Sequence, residues 1–107
     1  MALAGWSICV RFIFKNKNIE LLYTERKDAY KYPLEVVNAF FRVMAIIRNA
    51  SDERDLRAFR SLNYEALKGR RSHQNSLRLN QQWRLIVERH EDKEGRLLWV
   101  IDIEDYH

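Results

Sequence analysis

Cysteine occurs once in this chain, at Cys9, so no internal disulfide can form and no second thiol is available for a zinc site. Lying among apolar residues, Cys9 reads as a packed core thiol rather than a nucleophile. One proline and three glycines leave little material for long disordered linkers. Long hydrophobic runs are also missing. The apolar start from Met1 to Val10 is closed by Arg11, too short to span a membrane and without the basic leader of a secretory signal. A cytoplasmic protein with no membrane partner is the expectation. His73 and His90 share no metal-binding spacing, so no metal site is expected either.

What the chain does contain suits one domain covering 1–107: 107 residues, 47% of them apolar and 12% aromatic. The net charge of +4 is modest but uneven. Between Leu67 and His90 stand six basic residues, Lys68, Arg70, Arg71, Arg78, Arg84 and Arg89, against the single acid Glu88. From Glu91 to His107 the balance reverses, with six acids against Lys93 and Arg96. A basic segment inside a moderately charged protein points to a polyanion site, and a solvated strand face is the alternative.

Ser7 to Phe14 alternates, with Ile8, Val10, Phe12 and Phe14 on one side, and predicts a strand. Asn16 or Asn18 then caps a short helix carrying Ile19, Leu22 and Tyr23. Pro33 to Arg48 predicts a longer helix, where Val37, Phe40, Met44 and Ile47 repeat at helical spacing and Val36, Phe41, Val43 and Ile46 widen the apolar stripe. Ser51-Asp52-Glu53 starts one more turn. Three alternating runs follow, around Leu77 and Leu79, around Trp83, Leu85 and Val87, and from Leu97 through Trp99 and Ile101 to Ile103. Turns are expected at Asn80-Gln81 and at Gly95. The order predicts an α+β fold, its N-terminal strand and helices packed on one face of a mainly antiparallel sheet.

If the leucines and Trp83 face the helices, Arg78 and Arg84 share the opposite face. Lys68-Gly69-Arg70-Arg71 leads into that sheet, and Asp105-Tyr106-His107 leaves it. A basic face edged by Tyr and His has what cleavage of an RNA phosphodiester requires without a metal or cofactor. The RNA's own 2′-hydroxyl attacks, so the protein supplies a base, an acid and cations for the developing phosphoryl charge.

Glu65-Ala66-Leu67-Lys68-Gly69, Ser76-Leu77-Arg78-Leu79-Asn80, Gln82-Trp83-Arg84-Leu85-Ile86-Val87 and Ile103-Glu104-Asp105-Tyr106-His107 resemble, in this order, the HigB branch of the RelE/ParE toxins. Phe12-Ile13-Phe14-Lys15-Asn16-Lys17 is similar to that family's opening strand. The resemblance implies a RelE-like domain acting as the toxin of a type II toxin–antitoxin system, a ribosome-dependent endoribonuclease that cuts mRNA in the decoding site. It implies that Lys68 and Arg71 contact RNA phosphates, that Arg84 stabilises the scissile phosphate, and that Asp105, Tyr106 and His107 take part in proton transfer. Glu65, where some relatives carry His, acts as a base or holds Lys68. Arg70 replaces the family's usual Asp and adds charge, while Arg78 and Arg89 read as RNA-positioning or structural rather than catalytic. Partners implied are a HigA-like helix-turn-helix antitoxin, the ribosome and mRNA, with DNA reached only through the antitoxin. Met1 to Trp6 precedes the family's usual start and reads as an extension or a mis-called start. Two rivals use the same residues differently: a ParE-like gyrase poison on this fold, and a non-enzymatic RNA-binding module. The second would need Trp83 and Trp99 as stacking platforms, whereas their phase with the inward leucines places both in the core.

Overall fold

The computed structural model describes residues 10–105. Cys9, the extension 1–6, Tyr106 and His107 lie outside them. Strand β1 (Arg11–Phe14) runs into Asn16, whose side-chain oxygen accepts the Asn18 N–H at 3.0 Å and caps helix α1 (Lys17–Glu25). Ile19 and Leu22 of α1 are buried and Tyr23 packs beside them. Pro33 stands at the N-cap of helix α2 (Leu34–Asn49), where its missing N–H costs no helical hydrogen bond. The wide stripe is buried as expected through Val36, Val37, Phe40, Val43, Met44 and Ile47. Asp52 accepts the Arg54 N–H at 2.8 Å and starts helix α3 (Glu53–Ala58).

The second half is sheet. Strands β2 (Glu65–Ala66), β3 (Gln74–Arg78), β4 (Trp83–Asp92) and β5 (Gly95–Asp105) pair antiparallel in sequence, and β1 joins β5 in parallel, giving the order β1-β5-β4-β3-β2. The helices cover one face of this sheet, where Leu77, Leu79, Leu85, Val87, Leu98, Val100 and Ile103 join the helical residues in one apolar cluster. Both expected turns are present. Asn80 Oδ1 accepts the N–H groups of Gln82 and Trp83, each at 2.8 Å, and Gly95 takes φ +117°, open to glycine.

One expectation fails at β5. The pairing of β4 with β5 shifts between Ile86 and Val87: Ile86 faces Asp102 but Val87 faces Val100, leaving Ile101 as an extra residue. Such a bulge reverses the alternation on either side of it. Ile103 therefore points to the helices, as do Val100 and Leu98, while Trp99 turns to the outer face. There His90 stacks on the Trp99 ring at 3.4 Å between centroids, and the Lys15 ammonium lies 4.4 Å from it. Trp83 does reach the core, edge-on to Tyr32.

The two placements separate by stability. Phe40→Ala, at a fully buried position, is expected to cost about 3–5 kcal/mol. Trp99→Ala is expected to cost roughly half of that or less, as for a side chain outside the core. Denaturant midpoints of the two variants check this, and equal losses would return Trp99 to the core.

Candidate functional site

Residues directly opposed across strands share a face, so the pairing register lays out the outer surface in rows. Arg78, Arg84 and Glu104 make the first row, at the hairpin end of β3, β4 and β5. Glu65, Ser76, Ile86 and Asp102 make the second, and Gln74, Glu88 and Trp99 the third.

Arg84 does face away from the helices, as its spacing predicts, but it is not exposed. It keeps only 7% of its surface, beside Ser76 at 2% and Ile86 at 1%. Its Nη1 donates to the Asn80 carbonyl at 2.8 Å and to the Trp83 carbonyl at 3.3 Å. These fixed carbonyls hold the recessed guanidinium in one orientation. Directly opposite stands Arg78, exposed at the end of β3.

The loop between β2 and β3 folds toward the same row. Gly69 adopts φ +68°, and a single 3-10 turn (Gly69–Arg71) carries Arg71 onto the face. There the Arg71 guanidinium grips Glu104 with two hydrogen bonds of 3.0 and 2.8 Å, and its Nε donates to Gln74 Oε1 at 2.9 Å. The bond to Glu104 pushes the Arg71 pKa above its ordinary value. Lys68 and Arg70 are exposed in the same loop. Glu65, exposed on β2, accepts a 3.4 Å hydrogen bond from the Asn63 amide. Asp105 lies opposite Trp83 and accepts the Gln82 amide at 3.0 Å.

The fold thus brings Arg71, Arg78, Arg84 and Glu65 onto one face, with Lys68 and Arg70 in its bordering loop and Asp105 at its hairpin end. Arg89 stands apart. Five residues beyond Arg84 on one strand, it falls on the opposite face and meets Glu53 of α3 at 3.5 Å. Glu53 also takes Arg96 at 3.4 Å and the Tyr64 hydroxyl at 2.9 Å. Parity thus separates Arg89 from Arg84, although both lie in the basic segment. A cavity of about 720 Å³, lined by Arg11, Glu53, Arg89, Arg96 and Leu97 among others, lies at that other end of the sheet.

Sequence reasoning passed over four polar residues of the face. Glu104 and Gln74 hold Arg71. Glu88 accepts the Gln74 amide at 2.8 Å and meets His90 at 2.9 Å and His73 at 3.6 Å. The Gln74 and His90 hydrogen bonds hold the Glu88 carboxyl below its usual range. Asp102 moves the other way, raised chiefly by burial and further by nearby Glu104. The signal that would have found Glu104 is its place opposite Arg84, which only the strand register supplies. Among the described residues no three His, Cys, Asp or Glu side chains come together as a metal-binding group, and no helix is long and apolar enough to cross a membrane.

Known proteins share this fold. A YoeB/ParE toxin from Agrobacterium tumefaciens superposes over 92% of this chain and all of its own, with TM-score 0.54 and 16% identity. The YoeB-YefM complex from Staphylococcus aureus matches over 92% of this chain and 97% of that chain, with TM-score 0.51 and 18% identity. These likenesses establish a RelE-like toxin fold. At the level of sequence, the family model described as the RelE-like toxin of type II toxin-antitoxin system HigB matches residues 12–106. Toxin HigB-1 of Vibrio cholerae is 36% identical over 75 residues, 70% of this chain and 79% of that protein. The chain belongs to the HigB family of RelE-like toxins of type II toxin–antitoxin systems, and an antitoxin is accordingly its partner.

The lowered Glu88 pKa makes a stability prediction. A carboxyl that is more acidic folded than unfolded stabilises the fold above the ordinary carboxylate range, and loses that contribution as pH falls through it. Glu88→Gln is expected to unfold at lower temperature than the parent near neutral pH, with a smaller further loss on acidification to about pH 4. Parallel melting curves for parent and variant across this range would disprove the assignment.

Proposed function

We propose that this toxin is a ribosome-dependent endoribonuclease that cuts mRNA in the decoding site, acting in the cytoplasm. The observation that carries the reading is the first row of the outer face. Two arginines stand directly opposed, one of them recessed and oriented by backbone carbonyls. A recessed guanidinium held in one orientation beside an exposed one is preorganised for charge that develops on a phosphoryl group.

The RNA 2′-oxygen attacks the adjacent phosphorus, its proton passing to a base. The bond to the 5′-oxygen breaks as that oxygen takes a proton from an acid, leaving a 2′,3′-cyclic phosphate. Arg84 stabilises the charge that builds on the non-bridging oxygens, and Lys68, Arg70, Arg71 and Arg78 hold the flanking phosphates. Tyr106 and His107, which follow Asp105 in sequence, move the protons, assisted by Asp105. Glu65 serves as a base or positions Lys68. No step calls on a metal or cofactor. The antitoxin is a HigA-like helix-turn-helix protein, through which alone the toxin meets DNA. The outward Trp99 lends something to a binding-only role, but its ring is already engaged by His90 and Lys15.

The test compares the parent, Arg84→Gln and a chain ending at Asp105, each induced in bacteria and each purified for thermal melting. Growth arrest and mRNA cut within codons on translating ribosomes are expected for the parent. Glutamine keeps a donor for the Asn80 carbonyl while removing the charge, so Arg84→Gln should fold and cut roughly a hundredfold more slowly. The shortened chain should fold and lose a comparable or larger factor, of order 10²–10⁴. Cutting at the parent rate by folded Arg84→Gln would remove Arg84 from the chemistry. Growth arrest with intact mRNA would favour a gyrase-poisoning action.

A further inference from the structure

Glu104 presents both carboxylate oxygens to the two terminal nitrogens of Arg71, at 3.0 and 2.8 Å. β5 places it opposite Arg84, which is itself opposite Arg78. A planar oxyanion therefore lies among the arginines of one face, with the fork geometry that two non-bridging phosphate oxygens offer a guanidinium. The grip is open to exchange, because the Arg71 and Glu104 side chains remain 46% and 33% exposed, and exposed ion pairs contribute little net stability. Arg71 is also held from behind by Gln74, so the guanidinium stays at this place when its carboxylate partner leaves.

We propose that Glu104 is an internal stand-in for an RNA phosphodiester, holding Arg71 in the RNA-free toxin and yielding it to a phosphate when RNA lies along the outer face. The inference rests on the RNA reading above and adds a residue to it. Glu104 lowers RNA affinity by occupying a phosphate-binding cation, and keeps that cation ordered while no RNA is bound. Mere repulsion between Glu104 and RNA would also lower affinity, but it would do so whether or not Arg71 is present.

A double-mutant cycle separates these cases. The probe is a short single-stranded RNA with 2′-O-methyl riboses, which cannot be cut, and its binding is read by fluorescence anisotropy at fixed salt. Glu104→Gln is expected to bind roughly fivefold more tightly than the parent, the scale of one exposed ion pair released. Its affinity should also fall more steeply with salt, by up to about 0.7 in log–log slope for one added phosphate contact. In an Arg71→Gln background the same Glu104→Gln change should give no gain. A gain of equal size in both backgrounds would reduce Glu104 to through-space repulsion and overturn the proposal. Unchanged or weaker binding by folded Glu104→Gln would make the pair a structural latch and overturn it as well. Absence of saturable RNA binding in all four proteins would remove the RNA reading itself, a different failure from the other two.

Discussion

Asn80 engages all four of its polar groups, and the site depends on their being engaged together. Its Oδ1 accepts the N–H groups that open β4, its Nδ2 donates to Glu35 in the first turn of α2 at 2.8 Å, and its own N–H reaches the Trp83 carbonyl at 3.3 Å. Its carbonyl is then left pointing at Arg84. A cation removed from water is costly unless its donors are met. Here Nη1 is met by two carbonyls of a turn pinned to the helical layer, so the fold fixes where that end of the guanidinium lies. Loss of any one of these hydrogen bonds would loosen the turn and the guanidinium together.

The rest of the chain serves this arrangement by keeping the two faces of the sheet distinct. Helices α1, α2 and α3 take up the apolar residues of one face and leave the other to polar rows. Parity along β4 then decides membership: Arg84 goes to the polar face, while Arg89, an odd number of residues away, goes to the other and meets Glu53 from an exposed position. The bulge at Ile101 does the same on β5. It sends Trp99 outward beside His90 and sets Asp102 and Glu104 on the face of Arg84. The acids of the C-terminal strand thus face the basic strand, and the opposite charges of the two segments become a local pairing.

Much of this was legible in the residues. The period of α2, the cap at Asn16, the turn at Asn80 and the phase of Leu77, Leu85 and Val87 are local properties, and local physics places them. The outward direction of Arg78 and Arg84 followed from the same phase. Three things were hidden because they depend on pairing between strands. Alternation in β5 could be read only up to an unseen bulge, which misplaced Trp99. The burial of Arg84 depends on what covers its face, and the Arg71–Glu104 contact joins residues far apart in sequence across a register no single strand reveals.

In the proposed chemistry the outer row of arginines serves attack by the RNA's own 2′-hydroxyl. The most direct measurement uses ribosome-bound mRNA carrying one 2′-deoxynucleotide on the 5′ side of the bond that is cut. This bond is expected to stay intact while all-ribose mRNA is cut there to a 2′,3′-cyclic phosphate. Cleavage of the substituted bond at the ordinary rate would contradict this chemistry, because the nucleophile would then have to come from elsewhere.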